Sequence, residues 1–248
     1  EFISKLKDYQ NQGGKINFST EMDEVSGEIL PPLELRDFNF SLAQINIDNL
    51  SFSRDDVVRR AIFNVSGEES SHLWSANEYR KFKKMPILKI QDVLGPIYNE
   101  EADATFVQFR YPSSPLYSEF KYKTIPYHRV LVGSFSPEIF KDKLVLIGPN
   151  YTSERGNFLL TPFNSEEYRA PKLVVHASII DAFLQNKTIK VLPRNVSNVI
   201  ALILAMIMSI LISKLKPKDG LIITVLVLLS TLLISYLLFV LLGFWLYR

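Results

Sequence analysis

The sequence predicts an α/β domain on a mixed sheet, followed by a helical hairpin long enough to cross a membrane. Three observations predict this fold class. Residues 196–213 and 221–247 carry no charge and are mostly aliphatic. Short apolar runs rich in β-branched residues alternate with amphipathic stretches in the first 194 residues. The run Leu144–Ile147 is unbroken and ends at Gly148-Pro149, which is typical of a strand buried on both faces.

The C-terminal runs are long enough for the hydrocarbon core, which takes about 20 helical residues to cross. Each Leu, Ile or Val favours insertion by about 0.3–0.6 kcal/mol, whereas a mid-bilayer Lys or Asp costs about 2.5–3.5 kcal/mol. The charged break Lys214–Gly220 therefore lies outside the bilayer. Two buried helices of a soluble core are the alternative, but neither run has a polar face. We predict a domain at 1–193, membrane helices at 194–214 and 221–247, and a cytoplasmic loop at 215–220.

Composition limits the function classes. The formal net charge is +2, with Lys and Glu mixed through the chain, so nothing favours a nucleic-acid partner. The chain has no cysteine, which excludes disulfides and thiolate chemistry. Because the sequence opens on Glu1 and stops directly after a hydrophobic run, we expect an excerpt of a longer chain.

The first half of the chain predicts alternating helices and strands. Gly13-Gly14 ends an amphipathic N-terminal helix, as glycine commonly does after the last turn. Ser19–Pro32 is acidic and proline-terminated, so we expect a loop. The predicted helices are Glu1–Gln12 and Trp74–Lys84, and the predicted strands are Lys15–Phe18, Ala43–Ile47, Val57–Phe63 and Ala104–Phe109.

The second half gives the clearest β/α pattern. Leu144–Ile147 is predicted to be the central strand, and Leu173–Val175 a short strand that leads into a helix at His176–Lys187. Between the two strands lies Pro149–Pro171, which has weak structural signals. A loop of that length in a compact domain is usually functional or disordered.

The sequence shows no catalytic constellation. His72, His128 and His176 are far apart and lack metal-ligand spacing, and there is neither a glycine-rich phosphate loop nor a G-x-S-x-G nucleophile motif. We therefore predict no catalytic residue, no metal site and no cofactor. His176 shares a helical side with Ile180, which makes it either a hydrogen-bonded core histidine or a ligand contact.

A binding site is predicted by position. Ligands bind outside the carboxyl ends of parallel strands. Gly148, Asn150 and Thr152 follow one predicted strand end, and His176 follows the other. We expect these four residues to line a ligand-binding crevice covered by the loop Tyr151–Arg169. The alternative is that this loop packs on the sheet or on a neighbouring subunit.

Several stretches resemble one family in their order and spacing. Phe140–Gly148, Thr161-Pro162 and Pro171–Leu184, which includes Val175-His176-Ala177, resemble the type-two CHASE domain. Asp55–Arg60 is similar to the acidic turn and Val-Val-Arg strand of that family, although Asp56 stands where the family usually has glycine. These domains are extracellular or periplasmic sensory modules of bacterial cyclases, histidine kinases and related receptors.

The resemblance implies a sensory receptor of the cell membrane, with residues 1–193 outside the cytoplasm and lipid around the hairpin. It also implies a third membrane helix and an output domain beyond Arg248, such as an adenylate cyclase or a kinase. Receptors of this kind usually signal as homodimers, and Ala201, Ala205 and Ser209 form a small-residue stripe suited to close helix packing. That stripe could equally pack on the second helix. The signal, a small molecule or a protein, is unidentified. The alternative function is a non-catalytic scaffold or assembly subunit of a membrane complex.

Overall fold

The computed structural model describes residues 1–23, 27–47, 55–111, 122–149, 158–163 and 170–245. Its helices are α1 (Phe2–Asn11), α2 (Ser71–Phe82), α3 (Tyr127–Leu131), α4 (Lys172–Leu184), α5 (Arg194–Ser213) and α6 (Pro217–Leu242), with short 3-10 turns at Leu33–Leu35, Ile90–Asp92 and Pro137–Ile139. Its strands are β1 (Asn17–Asp23), β2 (Gly27–Ile29), β3 (Asn39–Leu42), β4 (Arg60–Val65), β5 (Glu68–Glu69), β6 (Ile97–Asn99), β7 (Ala104–Gln108), β8 (Phe158–Leu159), β9 (Ala170–Pro171), β10 (Lys190–Val191) and β11 (Phe244–Trp245).

The strands form two main sheets. The four-stranded sheet has the order β5-β4-β7-β6 and is antiparallel throughout. The three-stranded sheet has the order β2-β1-β3, in which β1 pairs antiparallel with β2 and parallel with β3. Strands β8 and β9 pair with each other, and so do β10 and β11. The predicted fold class, a mixed α/β domain followed by two apolar helices, is confirmed.

Helices α2 and α4 pack side by side at the centre of the domain. Val175, Ile179 and Phe183 follow one another at four-residue spacing along α4 and are completely buried. Leu73 and Ala76 of α2 belong to the same core, as do Phe63 of β4 and Val107 and Phe109 of the β7 region. The rings of Phe63 and Phe183 meet edge to face, with centroids 5.8 Å apart. The core is thus one layer of sheet covered by this helix pair.

The predicted central strand is wrong. Residues 144–147 belong to no strand, and their side chains alternate in exposure: Leu144 and Leu146 pack against the core, whereas Val145 is 49% and Ile147 86% exposed. The central strands are instead β4 and β7. An uninterrupted apolar run predicts burial on both faces, but here only alternate residues face the core.

Other boundaries also differ from the prediction. Leu173–Val175 is not a strand but the first turn of α4, which begins at Lys172 directly after Pro171. Strand β3 ends at Leu42, so Ala43–Ile47 is not a strand. The predicted loop Ser19–Pro32 contains most of β1 and all of β2. The N-terminal helix, the helix at α2 and the strand at β7 are confirmed within a few residues.

The C-terminal helices are both long and apolar enough to cross a membrane. The apolar span of α5 is Asn195–Ser213, with a mean hydropathy of 2.4, and that of α6 is Pro217–Leu242, with a mean hydropathy of 2.8. Neither span is buried inside the protein. Helix α6 ends at Gly243, whose left-handed backbone (φ +69°) suits a residue without a side chain.

Candidate functional site

A pair of histidines lies between α2 and α4. His72 is on the first turn of α2, and His176 is on the second turn of α4. His72 Nε2 is 2.7 Å from His176 Nδ1, and the rings are nearly parallel, with an interplanar angle of 18°. His72 is only 1% exposed, whereas His176 is partly exposed. The hydrogen bond therefore connects a fully buried imidazole to one at the edge of the core.

Both imidazoles are held in their neutral form. Burial lowers the pKa of His72 well below 6.5, and the neighbouring His176 lowers it further. Burial also lowers the pKa of His176, to about 4, with a smaller lowering by Lys172 and an opposing effect of Glu21. Among the described residues His72 Nδ1 has no hydrogen-bond partner. A bare nitrogen in a buried site fits a neutral ring better than a charged one, because an imidazolium would bury a second N–H donor.

Polar groups of β1 surround the pair. Lys172, one turn before His176 on α4, forms an ion pair with Glu21 of β1. Asn17 donates hydrogen bonds to Ser41 Oγ on β3 at 2.9 Å and to Ser71 Oγ on α2 at 2.8 Å. These contacts attach the three-stranded sheet to the N-terminal ends of both helices.

Arg80 joins the opposite ends of the same helices. It is 6% exposed, and its NH1 nitrogen donates to the carbonyls of Phe183 at 3.2 Å and Leu184 at 2.7 Å. Its Nε donates to the carbonyl of Pro86 at 2.6 Å. A cation at a helix C-terminus satisfies free carbonyls and complements the helix dipole. Because His72 meets His176 and Arg80 meets Leu184, α2 and α4 run in the same direction.

The segment that connects α4 to the first apolar helix is held on both sides; we call residues 187–191 the exit strand. On one side Arg110 N donates to Lys187 O at 2.9 Å, and Ile189 N donates to Gln108 O at 2.8 Å. On the other side Lys190 N donates to Gly243 O at 2.8 Å. The next residue, Val191, donates its N–H to Leu94 O at 3.2 Å. The exit strand is therefore anchored to the central sheet and to the end of α6.

Two further contacts reinforce this junction. Arg110 NH1 donates to Val240 O at 3.2 Å, near the C-terminus of α6. Gly95 approaches the exit strand so closely that an added Cβ would lie 2.3 Å from Val191 O, and its φ of +74° is one that side chains rarely adopt. Glycine is required at this position.

A separate cleft of about 660 Å³ opens between β1, β3 and the β4–β5 turn. Its apolar wall includes Phe40, Leu42 and Trp74, and carboxylates at Glu28, Glu68 and Glu69 also line it. Of the predicted ligand-binding residues that the structure describes, Gly148 and His176, neither lines this cleft.

The four predicted binding residues are only partly placed. Asn150 and Thr152 lie outside the described residues. Gly148 is exposed and close to Leu173, since an added Cβ would lie 3.1 Å from Leu173 Cδ1. His176 is inside α4 rather than after a strand. The two strand ends on which the crevice was based do not exist, and the ligand-binding role of these residues stays a prediction.

The acidic turn before β4 is built much as the sequence suggests. Asp55 accepts a two-pronged hydrogen bond from Arg59, at 2.8 and 2.6 Å. Asp56 has a φ of +53°, the left-handed region that glycine enters freely and aspartate tolerates. Aspartate therefore fits this turn, although glycine would adopt the same backbone more freely.

Sequence reasoning missed the partner of His176. His72 and His176 are 104 residues apart, and no local pattern joins them. One signal was present: His72, Ala76 and Arg80 repeat every four residues and share the buried side of α2. Two polar residues on a buried helical side imply partners within the core.

The comparisons with known proteins identify the family. Residues 5–212 match the CHASE2 domain, which covers most of the domain and nearly all of α5. No curated protein and no solved structure matches the chain. The match agrees with a mixed α/β domain that continues directly into an apolar helix. This chain therefore belongs to the CHASE2 family of extracellular sensory domains and carries, at its C-terminus, two helices that are able to span a membrane.

Proposed function

We propose that this protein is the sensory domain and membrane anchor of a receptor that controls a cytoplasmic nucleotide cyclase or kinase. The observation that carries the proposal is the junction between α4, the exit strand and the apolar hairpin. A sensor must pass a structural change on to its membrane helices, and a flexible linker at this position would absorb that change.

The connection between α4 and α5 is short and hydrogen-bonded to its neighbours. The exit strand lies between the end of α4 at Leu184 and the start of α5 at Arg194. It is hydrogen-bonded to the β7 region, to Leu94 and, on its opposite edge, to the segment that contains Gly243 and β11. Pro193 precedes α5 directly and fixes the local backbone. A displacement of α4 therefore reaches α5 through a short extended segment that is paired along both edges.

The second apolar helix takes part in the same junction. Arg110 follows the central strand β7 and binds the C-terminal end of α6, while β11 pairs in parallel with β10. Both helices of the hairpin thus contact the region where the domain ends. This arrangement supports transmission to the pair of helices rather than to one of them.

We further propose that the hairpin lies in membrane lipid and that the receptor is a homodimer. Ala201, Ala205 and Ser209 are exposed in the single chain, so α6 does not cover them. Small residues at four-residue spacing let two helix backbones approach closely in lipid.

The orientation is tested with single cysteines, because the natural chain has none. Glu68→Cys places a thiol on the exposed β5 strand, and Lys216→Cys places one in the turn between the two helices. In intact cells an impermeant thiol reagent should label the first variant and spare the second. Both variants should react after permeabilisation. Labelling of Lys216→Cys alone in intact cells would reverse the proposed topology.

The coupling is tested with two glycine variants of the full-length receptor. Gly95→Ala forces a methyl group against Val191 O of the exit strand, so we expect altered output activity. Gly133→Ala is the matched control, because Gly133 also has a positive φ of +68° but nothing lies within 4 Å of an added Cβ. Equal outputs from the two variants would refute transmission through the exit strand. A full-length protein without any output activity would favour the assembly subunit.

A further inference from the structure

The His72–His176 pair has one property that the sensory role alone does not require. A polar contact is buried at the N-terminal end of the interface between α2 and α4, where aliphatic side chains would pack without needing a partner. The two rings share a single hydrogen bond at 2.7 Å, and His72 Nδ1 has no other partner among the described residues. The hydrogen bond needs a proton on one of its two nitrogens and none on the other, so it depends on the protonation state of the pair.

The neutral protonation state of the pair is the one compatible with its hydrogen bond and with the bare Nδ1 of His72. The neutral pair has two N–H groups on four ring nitrogens. One N–H lies between His72 Nε2 and His176 Nδ1, and the other is best placed on His176 Nε2, which leaves the buried Nδ1 of His72 bare. One added proton must then occupy Nδ1 of His72, as a buried donor without an acceptor. A second would turn both nitrogens of the 2.7 Å contact into donors and break it.

We propose that the His72–His176 pair is a proton-binding site and that acid is a signal which loosens α2 from α4. The inference rests on the proposed function only in its last step, in which the loosened helix α4 acts on the exit strand. The proton comes from solvent and enters on the side of His176, the partly exposed member.

The charges around the pair set its response. Lys172 on α4 opposes a positive charge on His176, and Glu21 on β1 favours one. The ion pair of these two residues makes their fields largely cancel near neutral pH. Strands β3, β8 and β9, which also pack against the two helices, carry no charged residue. Further charged residues on the packed elements are Asp23, Arg60, Glu78, Arg80, Lys81 and Asp181. Glu69 of β5 also accepts a hydrogen bond from Asn77 of α2 at 3.0 Å.

The direction of the effect follows from the neutral rings. Since burial lowers the pKa of His176 from 6.5 to about 4 and that of His72 well below 6.5, the unfolded chain binds protons that the folded pair refuses. The stabilising effect of the neutral pair is complete above about pH 6.5 and is lost as the pH falls toward 4 and below. Acid is thus expected to weaken this interface first at its histidine end, while Arg80 still holds the other end.

The chain contains its own reporter for this change. It has two tryptophans: Trp74 is half-buried two residues after His72, and Trp245 is in β11. With Trp245→Phe, the fluorescence of the full chain in lipid nanodiscs reports on α2 alone. The experiment titrates this protein from neutral pH to about pH 4 and repeats the titration with His72→Gln, His176→Gln and both changes together.

We expect a reversible change in Trp74 fluorescence over this range, which the double variant loses. His128→Gln is the matched control, because His128 is exposed on α3, and it should titrate like the parent protein. A double variant that keeps the parent transition, or a control that loses it, would overturn the proposal. A flat titration of the parent would overturn it as well, whether or not the histidine variants fold.

The experiment also separates this inference from the proposed function. Trp74→Phe leaves Trp245 as the reporter of the junction, and output activity is measured on the full-length receptor over the same pH range. A Trp74 transition without a response at Trp245 or in the output supports the proton site and contradicts coupling through the exit strand. Absence of the Trp74 transition in the parent protein, together with an altered output in Gly95→Ala, contradicts the proton site and leaves the receptor function standing.

Discussion

Two pairs of helices in this protein, α2 with α4 and α5 with α6, differ in what surrounds them. Helices α2 and α4 bury Leu73, Ala76, Val175 and Phe183 between themselves and the sheet. Helices α5 and α6 expose nearly all of their side chains, and on α6 only Gly220, close to Ile212 at the tip of the hairpin, is buried. The first pair is stabilised by contacts within the chain. The second has the composition of helices stabilised by lipid.

The comparison also separates polar from apolar interfaces. The buried pair contains a histidine contact and an arginine whose charge is compensated by backbone carbonyls. The exposed pair contains aliphatic residues and a few hydroxyls that hydrogen-bond within their own helix, such as Thr224 to Gly220 O. The interface between α2 and α4 is therefore expected to depend on its specific polar partners and on pH. The folding of the hairpin is expected to tolerate substitutions between apolar residues.

The largest expected effect distinguishes the two pairs directly. Phe183→Ala removes a fully buried ring that packs on Phe63, and we expect it to lower the free energy of unfolding by about 4 kcal/mol. Leu228→Ala, on a residue of α6 that is 59% exposed, should change it by less than about 0.5 kcal/mol. The measurement is denaturant unfolding of the domain in nanodiscs, followed by near-UV circular dichroism. Similar losses in both variants would invalidate the comparison.

A smaller loss is expected from Arg80→Met. The variant keeps most of the aliphatic stem but leaves the carbonyls of Phe183 and Leu184 without their charged donor, which should cost about 2–3 kcal/mol. The exposed Lys83→Met serves as the control. If thermal unfolding shows Arg80→Met to be as stable as that control, the arginine does not hold the end of α4.

Substitutions in the hairpin should change the dimerisation of the protein rather than its folding. Ala205→Phe puts a large ring on the exposed small-residue stripe of α5, so we expect dimerisation in lipid to weaken by about tenfold. Ile203→Phe, two residues away on a different side of the helix, should have less effect. Energy transfer between labelled chains in vesicles measures both. A protein that is monomeric in vesicles, or that dimerises equally well in both variants, would exclude this stripe as the dimer contact.

The smallest effect is expected where the sequence predicted a large one. A central strand at Leu144–Ile147 would make Ile147→Asp severely destabilising, because an unpaired carboxylate would be buried. Ile147 is instead 86% exposed, so we expect a change of less than about 0.5 kcal/mol in unfolding free energy. Leu146→Asp, on the neighbouring side chain that packs against the core, should cost clearly more. If thermal unfolding shows that Ile147→Asp destabilises the protein more than Leu146→Asp does, Ile147 is buried and the predicted central strand regains support.

Some parts of the molecule are determined locally by the sequence, and others are not. The apolar helices were predictable because a bilayer acts on each residue independently, so summed hydropathy is sufficient. The start of α4 was not predictable in this way, because Leu173-Val174-Val175 has strand propensity. The four-residue repeat of Val175, Ile179 and Phe183 nevertheless fits a helix, which the core stabilises. The histidine pair was not predictable, since its members are 104 positions apart in the sequence and meet only after the segment between them has folded.

The pairing of β10 with β11 also determines on which side of the membrane the chain emerges after the hairpin. In the proposed topology α5 leads away from the domain and α6 leads back, so residues 244–245 return to the side on which the domain lies. Every additional crossing reverses the side. A catalytic domain on the far side of the membrane therefore requires an odd total number of crossings, and an even total would place it beside the sensor. The side of any segment attached after the hairpin can thus be determined by counting its hydrophobic spans.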